Sequence, residues 1–243
     1  MSLDINHLFK TYKKYSKNKP NAINDVCFVV QNGQILALVG QNGAGKTTTI
    51  KCLLGLMKAD SGTVSFDRMA INSFMAKVKV GFMPEILHLT DLISARSYLM
   101  DLAYLRRVEM QCADAIERLG DLLSLGREIL ARPLANLSNG MKKKVNYIQS
   151  VMHQPELLIL DEPTDGLDPV SRRIILGQIR SMADNGCTVL ITSHILADLE
   201  RIADTAAIMH EGRVLQSIVL ADYFKSTQSC NIRLKGSIDI FFG

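Results

Sequence analysis

The sequence predicts an α/β fold in which a largely parallel sheet is interrupted by a block of helices. Three observations carry the prediction. The first is a glycine-rich loop, Gly40-Gln41-Asn42-Gly43-Ala44-Gly45-Lys46-Thr47-Thr48, set between an apolar run, Ile35 to Val39, and a helix-like segment, Thr49 to Leu54. The second is a pair of uninterrupted apolar runs, Leu157 to Leu160 and Cys187 to Ile191, as strands buried on both faces of a sheet require. The third is a change of period: from Thr90 to about Leu130 apolar residues recur at helical spacing and strand signals vanish.

In chain order, Leu3 to Leu8 alternates loosely and Val26 to Val30 reads as a second strand, with Asn32-Gly33 as a turn ahead of the Ile35 strand. After the glycine-rich loop, Gly55 closes a helix and Asp60-Ser61-Gly62 turns into a strand from Thr63 to Phe66. Another strand is expected over Val78 to Met83, ending at Pro84-Glu85. Helices are expected near Ala95 to Arg106 and Met110 to Leu119, with Gly120 and Gly126 as punctuation, and then from about Lys142 to Met152. A helix to about Ala183 follows the Pro163 to Pro169 loop, and Ala206 to Met209 with Val214 to Ile218 reads as a hairpin around Glu211-Gly212. The expected division is a main domain over 1–216, a helical subdomain inserted at about 86–152, and a weakly patterned tail over 217–243 with no assigned role.

Composition excludes several classes. At 243 residues with 47% hydrophobic and 21% charged content, the chain has the profile of a soluble globular protein with room for a substantial core. No apolar run approaches the roughly eighteen residues of a membrane span, and the N-terminus lacks a secretory apolar region. A cytoplasmic location is therefore expected, with any membrane role exerted through a partner. Five scattered cysteines without a C-x-x-C pair favour reduced, mostly buried thiols over disulfides or a metal site. The net charge of +4 is too small to imply nucleic acid. Much of it sits in the acid-free stretch holding Lys10, Lys13, Lys14, Lys17 and Lys19, which reads as a solvated turn, with nucleic-acid or lipid-headgroup contact as the alternative.

The glycine-rich loop has the composition of a phosphate cradle. Glycines let the backbone turn back on itself with its N–H groups inward, and the following helix adds about half a positive charge at its N-terminus. Lys46 can reach the β- and γ-phosphates, and the Thr47 hydroxyl is placed to ligate Mg²⁺. The 157–160 run delivers Asp161 and Glu162 at its C-terminal end, where open α/β sheets place ligands. The first carboxylate can hold Mg²⁺ and the second can orient the water that attacks a γ-phosphate. His194 follows the 187–191 run on the same edge and suits a γ-phosphate contact. Tyr12 and Tyr15, within the basic turn, are partial core caps or a flat face for an adenine ring. Ser138 reads as the N-cap of the 142–152 helix, where its hydroxyl and the Gly140 N–H would meet an approaching anion.

With these residues in order, the chain resembles the nucleotide-binding subunit of an ATP-binding cassette (ABC) transporter, over about Leu3 to Gln216. The ordered set carries the resemblance: the loop at Gly40, Leu137-Ser138-Asn139-Gly140-Met141, Asp161-Glu162, Gly166-Leu167-Asp168 and His194. It implies a P-loop NTPase core of RecA-like type, an N-terminal antiparallel sheet and the inserted helical lobe. It further implies an ATPase using ATP and Mg²⁺, with Gln41 to Thr48 as the phosphate loop and Tyr12 as the adenine-stacking aromatic, Tyr15 being a rival. Ser138 and Gly140 would touch the γ-phosphate held by a second ABC subunit, identical or related, Asp168 would lie in the loop that communicates across the pair, and His194 would be the switch histidine. Glu85 stands where the family usually has a glutamine that touches Mg²⁺, and Asn139 and Met141 replace the second Gly and the Gln of the common signature. The Pro84-Glu85 and Ser-Asn-Gly-Met variants are similar to the exporter branch, which implies a separate membrane permease and a peripheral cytoplasmic place on the membrane. A soluble ABC-type ATPase of DNA repair or ribosomes, and a P-loop nucleotide kinase, are the alternative classes.

Overall fold

Each central strand sends alternate residues into two different cores. In β3 (Ile35–Val39), Ile35, Ala37 and Val39 join one apolar cluster while Leu36 and Leu38 join another. The same split recurs in β7 (Leu157–Asp161), with Leu158 and Leu160 against Leu157 and Ile159, and in β8 (Thr188–Thr192), with Val189 and Ile191 against Leu190. A two-residue side-chain period makes this unavoidable once both faces of a sheet are covered. That is why these strands are apolar throughout, without polar alternation.

The computed structural model describes residues 1–12, 22–71, 73–86 and 92–222, together with the backbone of 230–234 and 238–242. Its main sheet has six strands in the order β10-β9-β3-β8-β7-β6, where β6 is Val80–Met83, β9 Thr205–His210 and β10 Arg213–Val219. All neighbours are parallel except β10, which runs antiparallel to β9. A second sheet of four antiparallel strands has the order β2-β1-β4-β5, from β1 (Leu3–Lys10), β2 (Ile23–Val30), β4 (Ser61–Phe66) and β5 (Met69–Ala70). Its inner residues Leu3, Ile5, Val26, Phe28 and Phe66 share one core with Ile50 and Leu53 of α1 (Lys46–Leu53) and one face of the main sheet. The other face is covered by α3 (Ala95–Arg106), α4 (Glu109–Leu122), α6 (Asn139–Val151) and α7 (Pro169–Asp184).

Short α2 (Phe74–Val78) precedes β6, and α5 (Arg127–Leu130) lies between α4 and α6. The strand expected from Val78 thus starts two residues late, Val78 being the last residue of α2 and Lys79 its C-cap. The Ser73 hydroxyl caps α2 by accepting the Ala76 N–H, and the Val-Lys-Val alternation at 78–80 holds only from Val80 onward. Gly120 does not punctuate: it lies inside α4, where its bare face admits Leu130, whose Cδ1 would be 2.8 Å from an added Cβ. Helix α6 packs so closely on β6 that a Cβ at Gly81 would collide with the Ser150 carbonyl. Between the α3–α6 block and the sheet, Gln149 donates to the Phe82 carbonyl at 2.6 Å and Asn146 to the Pro84 carbonyl at 2.8 Å, which fixes the chain entering Glu85. Helix α8 (Leu196–Ile202) follows β8, and beyond β10 the chain forms an antiparallel pair, β11 (Cys230–Leu234) and β12 (Ile238–Phe242), in the segment read as weakly patterned.

Where α3, α6 and β6 meet, His153 has Nε2 3.0 Å from the Arg106 guanidinium and 3.2 Å from the Val80 carbonyl oxygen. Burial first, and then Arg106, push its pKa from the ordinary 6.5 down to about 4. The unfolded chain therefore takes up a proton near pH 6.5 that the folded chain refuses until about pH 4, and stability falls as pH drops through that window. A shift of that size corresponds to roughly 3 kcal/mol. Urea-melt midpoints for His153→Gln are expected to lose most of the slope between pH 6.5 and 4; an unaltered slope would contradict the assignment.

Candidate functional site

The phosphate loop leaves β3 and enters α1 through two left-handed glycines, Gly43 at φ 84° and Gly45 at φ 107°. Gly45 is the N-cap of α1 and sits under the Ala22 carbonyl, so both its dihedral and the space around it exclude a side chain. The Ala44 N–H donates to the Gln41 carbonyl at 3.0 Å, and the Ala44 carbonyl accepts from the Gly212 N–H at 2.9 Å, tying the loop to the β9–β10 turn. Lys46 is buried, with Nζ donating to the Gly40 carbonyl at 2.6 Å and the Gln41 carbonyl at 3.3 Å. Its charge is thus held over the curl of the loop.

Asn42, Gly43, Gly45, Lys46, Thr47 and Thr48 line a cavity of about 680 Å³. Its opposite wall brings together Glu85, Asp161, Glu162, Asp165 and His194, and Tyr12 and Ala22 stand at a third side. Tyr12 is half exposed, with its hydroxyl 3.3 Å from Thr48 Oγ1. That leaves its ring at the edge of the cavity, as a stacking role requires; Tyr15 lies outside the described residues.

At the carboxylate wall, Asp161 is only 3% exposed, and both its oxygens are used. Oδ1 accepts the Thr192 hydroxyl at 2.6 Å and Oδ2 accepts the Thr47 hydroxyl at 3.1 Å. Glu162, the next residue, adopts φ 51°, a left-handed conformation that costs a non-glycine residue on the order of 1 kcal/mol or more. Thr192 compensates by receiving the Glu162 N–H on its carbonyl at 3.2 Å and its hydroxyl at 3.1 Å. The turn throws the Glu162 side chain across to His194, whose backbone N–H donates to Oε2 at 3.1 Å and whose Nδ1 lies 2.8 Å from the same oxygen. His194 Nε2 is 3.9 Å from Asp165 Oδ1, so the ring stands between two carboxylates.

Glu85 adds a further carboxylate to this wall, and Lys143 answers the accumulated charge. Burial lowers the Lys143 pKa from its usual value, while Asp165, Glu85, Glu162 and Asp161 oppose that shift and hold the cation there. Lys143, Asp165 and Thr192 had no place among the sequence-derived site residues. Asp165 sits in the Pro163 to Pro169 loop already singled out, and Thr192 ends β8, between the 187–191 run and His194, so their positions were readable. Lys143 had no sequence signal, because the packing of α6 alone brings it within the field of the carboxylates. Buried Asp198, which accepts Thr164 Oγ1 at 2.7 Å and Arg172 Nε at 2.6 Å, was missed as well; it ties the loop after Glu162 to the start of α8.

Ser138, Gly140 and Asp168 are not brought into the cavity. Ser138 is exposed, and its hydroxyl caps α6 by accepting the Met141 N–H at 3.2 Å. Asp168 caps α7, accepting the Ser171 N–H at 2.8 Å and hydroxyl at 2.6 Å, with Lys144 3.5 Å away. These bonds, the hydroxyl first, hold the Asp168 carboxyl down to about 2.

A phosphate loop facing carboxylates across the C-terminal edge of a parallel sheet defines a P-loop nucleoside triphosphatase, and comparison narrows that class. A profile of the family described as ABC transporter matches residues 23–165. The chain is 33% identical over 213 residues to Nod factor export ATP-binding protein I of Burkholderia lata, covering 86% of this chain and 70% of that one. It is 34% identical over 211 residues to the bacitracin transport ATP-binding protein BcrA of Bacillus licheniformis, covering 85% and 67%. A solved structure described as the ATP binding subunit of an ABC transporter superposes with a TM-score of 0.84 at 30% identity, over 93% of each chain. The chain belongs to the ABC transporter family, as an ATP-binding and ATP-hydrolysing cassette. It spans between 63% and 78% of the length of the curated relatives it matches. The main sheet, the separate antiparallel sheet and the helical block agree with the fold read from the sequence.

Proposed function

We propose that this cassette works in a pair, closing over ATP and Mg²⁺, and that closure drives export through a separate membrane permease. The carrying observation is that one half of a triphosphate site is gathered here while the other half is displayed elsewhere. Lys46, Thr47, Asp161, Glu162 and His194 share one cavity, and Ser138 and Gly140 stand at the exposed N-terminus of α6, outside it. A second subunit, a copy of this chain or a relative, supplies the missing half by presenting its own Ser138 and helix end to the γ-phosphate. The donor set fits Mg²⁺: the Thr47 hydroxyl and Asp161 carboxylate are 3.1 Å apart, and Glu85 lines the same cavity, all hard oxygen ligands. Bound there, the ion would neutralise charge on the triphosphate.

Within this reading Tyr12 stacks on the adenine, and the Gln41–Thr48 loop with Lys46 grips the phosphates. Glu162 accepts a proton from the water that attacks the γ-phosphorus, the bond to the β-phosphate oxygen breaks, and ADP and phosphate leave. His194 holds Glu162 in position and contacts the γ-phosphate, and Asp168 carries the state of one site across the pair. Lys143 stands in for the neutrality that a glutamine in place of Glu85 would have provided.

Support for a membrane partner is chemical. No helix among the described residues is long and apolar enough to cross a membrane. Yet Ile86, Leu92, Tyr104, Leu105 and Met110, around the Glu85 loop and the helical block, are all at least 66% exposed. In this reading these exposed apolar side chains form the surface that docks on the permease. The two named relatives are an export and a bacitracin transport protein, which favours outward movement. Together these favour a peripheral place at the cytoplasmic face of the membrane. Affinity purification of the full chain from solubilised membranes is expected to recover an integral protein with several spans. Recovery from the soluble fraction with ribosomes or DNA instead would overturn the transport reading.

A further inference from the structure

Outside the ATP cavity, the outer face of the antiparallel sheet gathers a histidine, an aspartate and a cysteine whose spacing in the chain gives no hint of it. Strands β1 and β2 pair Ile5 with Phe28, Leu8 with Val26 and Lys10 with Ile23. Between the first two pairs β1 has an extra residue, and between the last two β2 has the extra residue. These are adjacent bulges of opposite sense. Each bulge contains a left-handed non-glycine residue, His7 at φ 49° and Asp25 at φ 61°, a conformation in which His and Asp are among the more tolerant residues. Leu3, Ile5 and Leu8 keep facing the core on one strand, and Ile23, Val26 and Phe28 on the other, so the slack is expelled outward.

Three ligand atoms converge as a result. His7 Nδ1 is 2.7 Å from Asp25 Oδ1, and Cys27 Sγ is 3.7 Å from His7 Nδ1 and 3.9 Å from Asp25 Oδ1. The His7 N–H also donates to Cys27 Sγ at 3.1 Å, holding the sulfur in place. Among the described residues this is the one group of three such ligands lying within 4.8 Å of one another. Cys27 is exposed, whereas Cys52, Cys112 and Cys187 are buried.

A surface ion pair accounts for His7 and Asp25 but leaves the position of the sulfur unexplained. A nucleophilic triad is excluded by geometry, because carboxylate and thiol both address Nδ1, whereas a triad needs one on each ring nitrogen. A metal ion explains all three. Tetrahedral zinc with ordinary bond lengths to N, O and S would set its ligand atoms about 3.4–3.6 Å apart. The two edges to sulfur are already near that length, and the short N–O edge needs only to exchange its hydrogen bond for the ion.

We propose that His7, Asp25 and Cys27 form a surface site for a divalent metal of the zinc class, with its fourth position open to water. Nitrogen, oxygen and sulfur from one residue each suit a borderline ion and disfavour Mg²⁺ or Ca²⁺. The ion replaces the thiol proton of Cys27, which is released to solvent. Bound there, it clasps β1 to β2 at their two bulges, at the base of the connection that carries Tyr12 to the ATP cavity.

The test is titration of the reduced full-length chain with Co²⁺, followed by Zn²⁺. One equivalent of Co²⁺ is expected to give a sulfur-to-cobalt charge-transfer band in the near ultraviolet, which Zn²⁺ bleaches, and Zn²⁺ is expected to raise the melting temperature. Cys27→Ser should abolish the band and the thermal shift while leaving basal ATP hydrolysis unchanged. His7→Asn, which tolerates the left-handed backbone, should weaken Co²⁺ binding at least ~10-fold. Absence of the band in the native chain, or its persistence in Cys27→Ser, would overturn the proposal.

Discussion

Glu162→Gln is expected to lower the rate of ATP hydrolysis by about 10²–10⁴-fold, the usual contribution of a positioned base, while ATP affinity is retained. The amide keeps the size and hydrogen-bonding reach of the side chain. Its oxygen can still accept the His194 N–H, now 3.1 Å from Oε2, so neither the left-handed turn at 162 nor the placement of His194 is disturbed. What is lost is the ability to take a proton from water. With chemistry stopped and binding intact, the closed pair should accumulate, and size-exclusion chromatography in ATP and Mg²⁺ should show a dimer that native protein shows only transiently. Adding Ser138→Arg to the same chain should abolish that dimer, since the larger cation would sit at the exposed start of α6. Turnover at the native rate in Glu162→Gln would remove the glutamate from the role given to it. A dimer unaffected by Ser138→Arg would remove the N-terminus of α6 from the interface.

How the sequence could disclose this site follows from where its order is local. The phosphate loop, the Asp161-Glu162 pair and His194 are each read from a contiguous stretch, since an apolar strand and the polar residues at its C-terminal tip are consecutive in the chain. The parallel sheet was legible for the same reason: Leu157 to Leu160 and Cys187 to Ile191 are apolar on both faces because both faces are covered. Helix limits were less legible. Helix α6 begins at Asn139, three residues before the apolar period suggests, because the Ser138 hydroxyl supplies the first bond. Gly120 stays helical because Leu130 fills the space beside it, a contact no local rule contains. Lys143 feels the charge of Glu85 across the α6 packing that Asn146 and Gln149 anchor through the Pro84 and Phe82 carbonyls.

The five cysteines show the same limit in reverse. Their irregular spacing argued for reduced, mostly buried thiols, and Cys52, Cys112 and Cys187 are free and buried. Cys27 is exposed instead, and its neighbours His7 and Asp25 are brought to it by strand register. Two bulges determine that register, and although the spacing of Leu3, Ile5 and Leu8 breaks alternation at one of them, it does not say which residues of β2 lie opposite. Sequence spacing reports ligands that share a turn or a helix; it is blind to ligands assembled across a ladder.

Lys46→Ala is expected to weaken ATP binding by about ten- to a hundredfold and to leave no measurable turnover. Hydrogen bonds to a charged group contribute about 1.5–3 kcal/mol, which is that range of affinity. The fold should survive the substitution, because the bonds lost are those from Nζ to the Gly40 and Gln41 carbonyls at the cavity, and the loop is held independently by Ala44 to Gln41, Gly212 to Ala44 and Thr49 to Gly45. In the proposed role Lys46 would leave these carbonyls for the β- and γ-phosphates by side-chain rotation, since α1 begins at Lys46 itself. That short reach is why a shorter cation would not substitute. Isothermal titration with ATP and Mg²⁺, paired with phosphate release, separates the two effects: Glu162→Gln should bind with native affinity and not turn over, and Lys46→Ala should bind weakly and not turn over. A Lys46→Ala chain that binds ATP with native affinity would mean that the backbone and Thr47 grip the phosphates without the lysine, and Lys46 would then be confined to charge stabilisation during hydrolysis.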